Sequence, residues 1–262
     1  MLLSRHYKLV RKFSKIALLG LRPSRAIGRL VGPKLILNSI PKCGTNLVLE
    51  IIHRFPKMHG KVAPTISDKM GEKVLARVAA ISKGQCVPAH LFYSKEVERV
   101  MAENDIKMIF VIRDFRDAIL SHINYIDKIH VGHAHHEVFS RFSSMDEKID
   151  ACLSGIDGTF KSWPELVDGF KGWMTSDRVM LVRYENLIGD KDEAKALIKK
   201  MASFLGVGSI NAERIFHSMF DKGGPTFNAP GVGKWKKAFS QGQIVKINDV
   251  MGERLAMFGY QV

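Results

Sequence analysis

Cysteine is scarce in this chain of 262 residues, which has three, Cys43, Cys86 and Cys152. Three scattered cysteines are too few for a disulfide scaffold or for a tetrahedral zinc site built from cysteine pairs. Long apolar runs are lacking too. The longest apolar run in the first 34 residues covers only residues 16–19, far short of the roughly 20 residues that a membrane span needs. These absences predict a protein of a reducing compartment, and we expect a cytoplasmic location.

Acidic residues are absent from the first 34 positions, which carry nine lysines and arginines. Apolar side chains recur there near helical spacing, and most of the basic residues lie between them. We therefore predict a basic amphipathic segment over 1–33, followed by one domain over 34–262. Two interpretations stay open for the segment: a peripheral contact with an anionic membrane or another polyanion, and a helix packed on its own domain with a solvated basic face.

Internal repeats and low-complexity linkers are also missing, and the composition is that of an ordinary globular protein, 46% hydrophobic and 25% charged. Short apolar runs alternate with helical patterns. The pattern predicts strands over 35–40, 107–112 and 179–182, and helices over 45–55, 116–128 and 191–205. This alternation predicts a single α/β domain with three layers, in which helices cover both faces of a central parallel sheet. Weak periodicity over 130–163 predicts a loop or cap at one edge.

The segment LILNSIPKCGTNL, residues 35–47, joins a predicted strand to a predicted helix through a short loop. It places Lys42, Gly44 and Thr45 where a helix N-terminus supplies unpaired N–H groups and a partial positive charge, which are the requirements of a phosphate. The common nucleotide loop GxxxxGK[ST] is absent from it. The alternatives are therefore a phosphate-binding loop of another pattern and an ordinary turn with an exposed lysine.

Arg113 follows the predicted strand 107–112, at the strand end where ligands bind in open α/β sheets. Ser121 comes eight residues later, about two helical turns on, where its hydroxyl could share an anionic group with Arg113. Taken alone, Arg113 leaves a structural role without a ligand equally open, and the neighbouring Asp114, Arg116 and Asp117 are interpreted as a solvated charge cluster at a helix start.

Taken together, these segments resemble the sulfotransferase family that uses 3′-phosphoadenosine 5′-phosphosulfate (PAPS). The family loop PKSGTTW is matched by PKCGTNL at 41–47, and the family's arginine and serine eight apart are matched by Arg113 and Ser121. The family segment THLP is matched by CVPAHLF at 86–92, which contains His90. Further matches are YENL at 184–187 with FLG at 204–206, and NAPGVGKWKKAF at 228–239. The resemblance covers most of residues 35–240 in the family's order.

The resemblance implies sulfuryl transfer from PAPS to an acceptor hydroxyl or amine, without a metal, leaving adenosine 3′,5′-bisphosphate (PAP). It implies that His90 is the general base, and that Lys42 stabilises the developing negative charge. It implies that Lys42 also contacts the donor, and that other donor-binding residues are Cys43, Gly44, Thr45, Asn46, Arg113, Ser121, Tyr184 and Gly233. Phe227 and Lys234 are added to the predicted donor-binding residues as replacements for family contacts that this chain lacks. No specific nucleic acid partner is expected.

The chain departs from the family pattern in the closing loop. Asn228, Ala229 and Pro230 stand where the family has Arg-Lys-Gly, and Lys234 takes the aspartate position, from which it could supply the missing cation. Leu47 replaces a tryptophan near the adenine, and Phe227 is one candidate to replace that contact. Two other classes therefore stay open: a P-loop kinase that uses ATP and Mg²⁺, and a non-catalytic relative that binds membranes or polyanions. The acceptor class, lipid, glycan or small metabolite, and the oligomeric state also stay open.

Two further features concern metal and redox chemistry. The histidines of HVGHAHH, His130, His133, His135 and His136, are interpreted as a polar loop near the acceptor entrance and not as a metal site. Cys43 is interpreted as a small residue in the serine position of the loop, with a redox-sensitive thiol as the alternative.

Overall fold

The computed structural model describes residues 28–59, 63–129, 135–157, 159–219 and 231–262. Most of the predicted basic segment over 1–33 lies outside these ranges, as do Phe227, the three closing-loop residues 228–230, His130 and His133. Among the described residues, no helix is long and apolar enough to cross a membrane.

Five strands form one sheet: β1 (Lys34–Ser39), β2 (Ile66–Ser67), β3 (Cys86–His90), β4 (Ile106–Ile112) and β5 (Val179–Arg183). Their order across the sheet is β2-β3-β1-β4-β5, and each neighbouring pair is parallel. The prediction of a parallel sheet is confirmed, with the three predicted strands at β1, β4 and β5. Because the strands are parallel, their carboxyl ends meet at one edge of the sheet.

The helices that connect and cover the strands alternate with them along the chain. Within the described ranges they are α1 (Thr45–Ile52), α2 (Lys73–Ala79), α3 (Lys95–Glu103), α4 (Phe115–Asn124), α5 (His136–Phe139), α6 (Met145–Ser154), α7 (Trp163–Phe170), α8 (Glu185–Ile188), α9 (Lys191–Leu205), α10 (Ala212–Ser218), α11 (Trp235–Ala238) and α12 (Gln241–Met257). Short 3₁₀ helices span Asp68–Met70 and Lys171–Thr175, and a π-helical turn, Tyr125–Ile129, follows α4. Capping boxes start α6, α7 and α12, where a serine hydroxyl accepts the N–H of a Glu or Gln three residues on.

The sheet lies between two apolar layers, as the alternation of side chains along a strand requires. In β1, Leu35 and Leu37 lie in the core that they form with α1, α9 and α10. Ile36 points to the opposite core, which contains residues of α2, α3, α4, α7 and α12. Both faces of the sheet are therefore covered, and the predicted three-layer domain is confirmed.

The segment over 130–163 was predicted as a loop or a cap, and its described part is not a plain loop. Its described part contains α5 and α6, and Ile149 and Cys152 of α6 are fully buried in the core beside α4, α7 and α12. The serine and acidic residues that weaken the apolar periodicity include the capping box of α6, Ser144 and Glu147. Polar residues that were interpreted as loop residues thus start a helix.

Candidate active site

The candidate site is a cavity of about 1450 Å³ at the carboxyl edge of the sheet. Four strands bring residues to it: Lys42 follows β1, His90 ends β3, Arg113 follows β4 and Tyr184 follows β5. The predicted site residues that line the cavity are Lys42, Gly44, Thr45, Asn46, His90, Arg113, Ser121, Tyr184 and Lys234. Residues predicted from five separate segments of the sequence therefore come together in one place.

The loop between β1 and α1 is held close to the end of β5. Gly44 has a φ of 101°, and a Cβ atom built on it would lie 2.5 Å from Cδ2 of the Tyr184 ring. Only glycine fits both the left-handed conformation and this close approach. α1 begins directly after Gly44, so the first N–H groups of the helix, which have no partner inside a helix, are presented beside Lys42 and Thr45.

Cys43 does not contribute its side chain to the cavity. It is fully buried in the apolar core between the sheet and α4, and this burial raises the pKa of its thiol. Burial therefore keeps the thiol protonated, which favours Cys43 as a small residue in the serine position over a redox-sensitive thiolate. Because the loop turns the Cys43 side chain into the core, only the backbone of this residue is left to bind the donor.

His90 is fixed in one tautomer by the strand beside it. Its Nδ1 lies 2.7 Å from the carbonyl oxygen of Ser39. Since a carbonyl oxygen only accepts, Nδ1 carries the proton, and Nε2 is left with a free lone pair. Burial and the nearby charge of Lys42 lower the pKa of His90, against the opposing effects of the Ser39 hydrogen bond and of Asp68. The imidazole is therefore neutral near pH 7 and suited to accept a proton.

The position of His90 is set by Asn38, a residue that the sequence patterns did not indicate. The fully buried Asn38 amide donates from Nδ2 to the Leu91 carbonyl at 2.9 Å and accepts the Leu91 N–H at Oδ1, also at 2.9 Å. The Trp173 indole donates to the same carbonyl at 2.9 Å. A polar residue inside an otherwise apolar strand was the available signal, since a buried amide needs partners.

Lys42 brings a cation into the centre of the cavity. Its Nζ lies 3.5 Å from the centre of the Tyr125 ring. Burial, and then repulsion by Arg113, lower the pKa of Lys42 to about 8. Its backbone has a φ of 66°, which is uncommon for a residue other than glycine. The ammonium is therefore costly to keep charged here, and an anion in the cavity would relieve that cost.

Arg113 has an unused donor within the site. Its side chain is 11% exposed, and Nη2 donates to the Gly231 carbonyl at 3.0 Å and lies 3.7 Å from Oδ2 of Asp117. The guanidinium carbon lies 4.6 Å from the centre of the Tyr184 ring. Nε is buried and has no hydrogen-bond partner among the described residues. A buried N–H of a cation without an acceptor fits an anionic ligand at this point.

The charges after Arg113 are buried, so their interpretation as a solvated cluster is wrong. Asp114 caps α4 by accepting the Arg116 N–H at 3.0 Å, and its carboxylate is 2.8 Å from Nη2 of Arg116. Arg116 also donates to the Gln261 carbonyl at 2.7 Å and lies over the Trp235 ring at 4.0 Å. The helix start is covered by the C-terminal segment, which the local pattern could not show.

Asp117 ties the closing segment, residues 231–235, to α4. Its carboxylate is fully buried and accepts the Gly233 N–H at 2.7 Å and the Trp235 N–H at 3.0 Å. Gly233, a predicted donor-binding residue, does not line the cavity and uses its N–H for Asp117, whereas the neighbouring Lys234 lines the cavity. Hydrogen bonds to an ionised carboxylate are among the stronger ones in proteins, so Asp117 fixes this segment beside Arg113.

The part of the cavity beyond His90 and Lys42 is built from rings. Phe160 lies 5.3 Å from His122 and 5.1 Å from His135, measured between ring centres, and Phe92 and Phe170 line the same side. Burial and the charge of Lys69 lower the pKa of His135. This histidine was predicted near the acceptor entrance. His136, by contrast, does not line the cavity, and its Nδ1 donates to the Ile126 carbonyl at 2.8 Å.

The comparisons with known proteins agree with this geometry. The family model for the sulfotransferase domain matches residues 32–259. The chain therefore belongs to the sulfotransferase domain family and is a sulfotransferase, as the resemblance implied.

The individual relatives share less than a third of their residues with this chain. Human sulfotransferase 6B1 is 27% identical over 248 residues, which cover 85% of this chain and 76% of that protein. The mouse sulfotransferase SULT7A1, solved in complex with PAP, superimposes with a TM-score of 0.64 at 19% identity over 91% of each chain. A retinol dehydratase, solved with androsterone and the inactive cofactor PAP, gives 0.59 at 14% identity over 92% of this chain and 85% of its own. These structures show that the fold is shared.

Proposed function

We propose that this sulfotransferase takes a sulfuryl group from PAPS and transfers it to a hydroxyl or amine of an acceptor. The observation that carries the proposal is the convergence of Lys42, His90 and Arg113 around the start of α1. When bound, PAPS supplies the activated sulfuryl group and leaves as PAP. The PAP in the solved relatives supports this choice of donor.

His90 is proposed as the general base. Its Nε2 lone pair accepts the proton of the acceptor hydroxyl or amine as that group attacks, while the Ser39 carbonyl holds Nδ1–H and stabilises the imidazolium that forms. The neutral resting state that burial favours leaves the base ready. A stronger base than His90 is not needed, because the pKa of the acceptor group falls as its bond to sulfur forms.

Lys42 and the loop are proposed to stabilise negative charge on the leaving group. The ammonium of Lys42 and the first N–H groups of α1, with the loop residues from Cys43 to Asn46, surround the position where a phosphosulfate would lie. Thr45 shares a hydrogen bond with the Ser39 hydroxyl, so its own hydroxyl is held at the mouth of the loop. No metal is needed for this chemistry.

Arg113 and Ser121 are proposed to bind the 3′-phosphate, with Lys234 as an additional cation. The unpaired Nε of Arg113 fits that anion, and Ser121 lines the cavity two turns further along α4. Tyr184 lines the cavity and is proposed to present its ring to the nucleotide, and Phe227 and Gly233 are proposed to contribute to the same side from the closing loop. In this proposal Lys234 supplies the cation that the closing loop lacks, and Asp117 holds the segment that carries Lys234.

A radiolabelled PAPS assay on the full chain tests the proposal with a panel of sterol, glycan, phenol and amine acceptors. We expect transfer to at least one acceptor, and a loss in Lys42→Ala that exposed Lys200→Ala does not show. Binding of ATP with Mg²⁺ and no use of PAPS would indicate a kinase. Tolerance of Lys42→Ala in every assay would indicate a non-catalytic relative.

The membrane contact that stayed open for residues 1–33 is tested separately, by vesicle sedimentation of the chain with and without these residues.

A further inference from the structure

Tyr125 is the first residue after α4 and lines the cavity beside Lys42. The Lys42 ammonium lies over the face of its ring, 3.5 Å from the ring centre. A cation at this distance is attracted by the negative face of an aromatic ring, and the attraction is stronger where water is excluded. The π-helical turn Tyr125–Ile129 begins at this residue, and such turns are frequent at functional sites.

The other charges around Lys42 do not hold it. Arg113, at the end of β4, repels it and lowers its pKa, and His90, at the end of β3, is itself affected by the Lys42 charge. No carboxylate of the described residues forms an ion pair with Lys42. Asp68 faces His90, whose pKa it raises. The ring of Tyr125 is thus the attractive contact that the described structure gives to this ammonium.

We propose that Tyr125 is a positioning residue for Lys42, and that the face of its ring holds the ammonium charged and aimed at the loop. The proposal rests on the sulfotransferase function given above. Tyr125 acts through Lys42 and not on the reacting atoms. The ring, and not the phenol hydroxyl, carries the effect.

Two variants separate the ring from the hydroxyl. Tyr125→Phe keeps the aromatic face, and Tyr125→Leu keeps an apolar side chain but removes the face. We expect Tyr125→Phe to keep kcat within about twofold and Tyr125→Leu to lower it about tenfold, a loss between those of an exposed and a fully desolvated cation–π contact. The Kd for PAP should change less than threefold in both, because Arg113 and the loop are unaltered.

A second measurement does not depend on activity. The pKa of Lys42 can be followed by NMR of ¹³Cε-labelled lysine, with the signal assigned through Lys42→Gln. Since the ring favours the ammonium, Tyr125→Leu should lower this pKa by about 0.5 to 1 pH unit, whereas Tyr125→Phe should leave it in place. The alkaline limb of the pH–rate profile should move with it.

Each outcome decides the proposal. An unchanged Lys42 pKa in Tyr125→Leu overturns it, and so does an equal loss in Tyr125→Phe and Tyr125→Leu, which would assign the effect to the hydroxyl. A wild-type protein that neither binds PAP nor uses PAPS contradicts the proposed function alone, because the NMR titration still tests the ring contact. Thermal unfolding of both variants shows that they fold.

Discussion

The two sides of the cavity are built differently. The strand-end side, formed by Lys42, Gly44, His90, Arg113 and Tyr184, lies at the ends of sheet strands, where backbone carbonyls hold the side chains of His90 and Arg113. The cap side is the part lined by Phe92, His122, His135, Phe160 and Phe170. Most of its residues come from helices and turns beyond the sheet, and rings contact rings there. The difference shows that the sheet edge carries most of the polar side chains of the cavity, while helices and turns beyond the sheet supply its rings.

The largest effect is expected from a substitution of the proposed general base, His90, on the strand-end side. His90→Gln removes the lone pair at Nε2, and we expect kcat to fall about 10²- to 10⁴-fold, the usual contribution of a general base. PAP binding should stay within about threefold, since the nucleotide contacts are on other residues. Initial rates with labelled PAPS and PAP titration give both numbers. Exposed His217→Gln is the control, and a loss below tenfold in His90→Gln would contradict the assignment.

The second prediction separates the closing segment from α4. Asp117→Asn can still accept one of the two N–H groups of Gly233 and Trp235, but it loses the charge. We expect the PAP affinity to fall about tenfold, because a hydrogen bond to a charged group contributes about 1.5 to 3 kcal/mol. Asp192→Asn, on an exposed carboxylate, is the control in the same titration. Equal affinities for both variants would show that Asp117 does not position the site.

These two predictions bear on what the sequence could show. Arg113 and the loop were predictable, because strand periodicity places them at strand ends and parallel strands share an edge. His90 was predicted only through the family resemblance, since the strand that ends at it, β3, was not among the predicted strands. Asp117 was mistaken for a solvated charge, since its partners lie more than 100 residues away in the closing segment. The helix α6 was missed for a related reason: its capping residues, Ser144 and Glu147, have the composition of a loop.

The third prediction concerns the cap side. Phe160→Leu should raise the KM for an acceptor several-fold and leave the PAP Kd unchanged, because the described ring contacts of Phe160 are with His122, His135 and Phe139, none of which belongs to the strand-end side. Loss of a buried aromatic ring also costs stability, about 1 to 3 kcal/mol for partial truncation. Thermal unfolding separates that cost from the change in KM. An equal rise in KM and PAP Kd would mean that the two sides are not independent.

The smallest effect is a displacement of the pH limits of activity. Neutral His90 is the active form, and its lowered pKa moves the acid limit below the ordinary histidine value of about 6.5. Charged Lys42 is the active form at the other end, so activity should fall as the pH rises through about 8. Measurements of kcat between about pH 5 and 10 test both signs. An acid limit above the ordinary value would contradict the buried, neutral His90.

The central claim is that the strand-end side binds the nucleotide through Arg113 and the loop after β1. Calorimetric titration of the full chain with PAP tests it most directly, with Arg113→Ala beside the exposed control Arg99→Ala. We predict micromolar binding to the wild type and to Arg99→Ala, and a loss of at least about tenfold in Arg113→Ala, since it removes a buried cation that pairs with an anion. Equal binding to all three proteins, or binding of ATP with Mg²⁺ in place of PAP, would contradict the account.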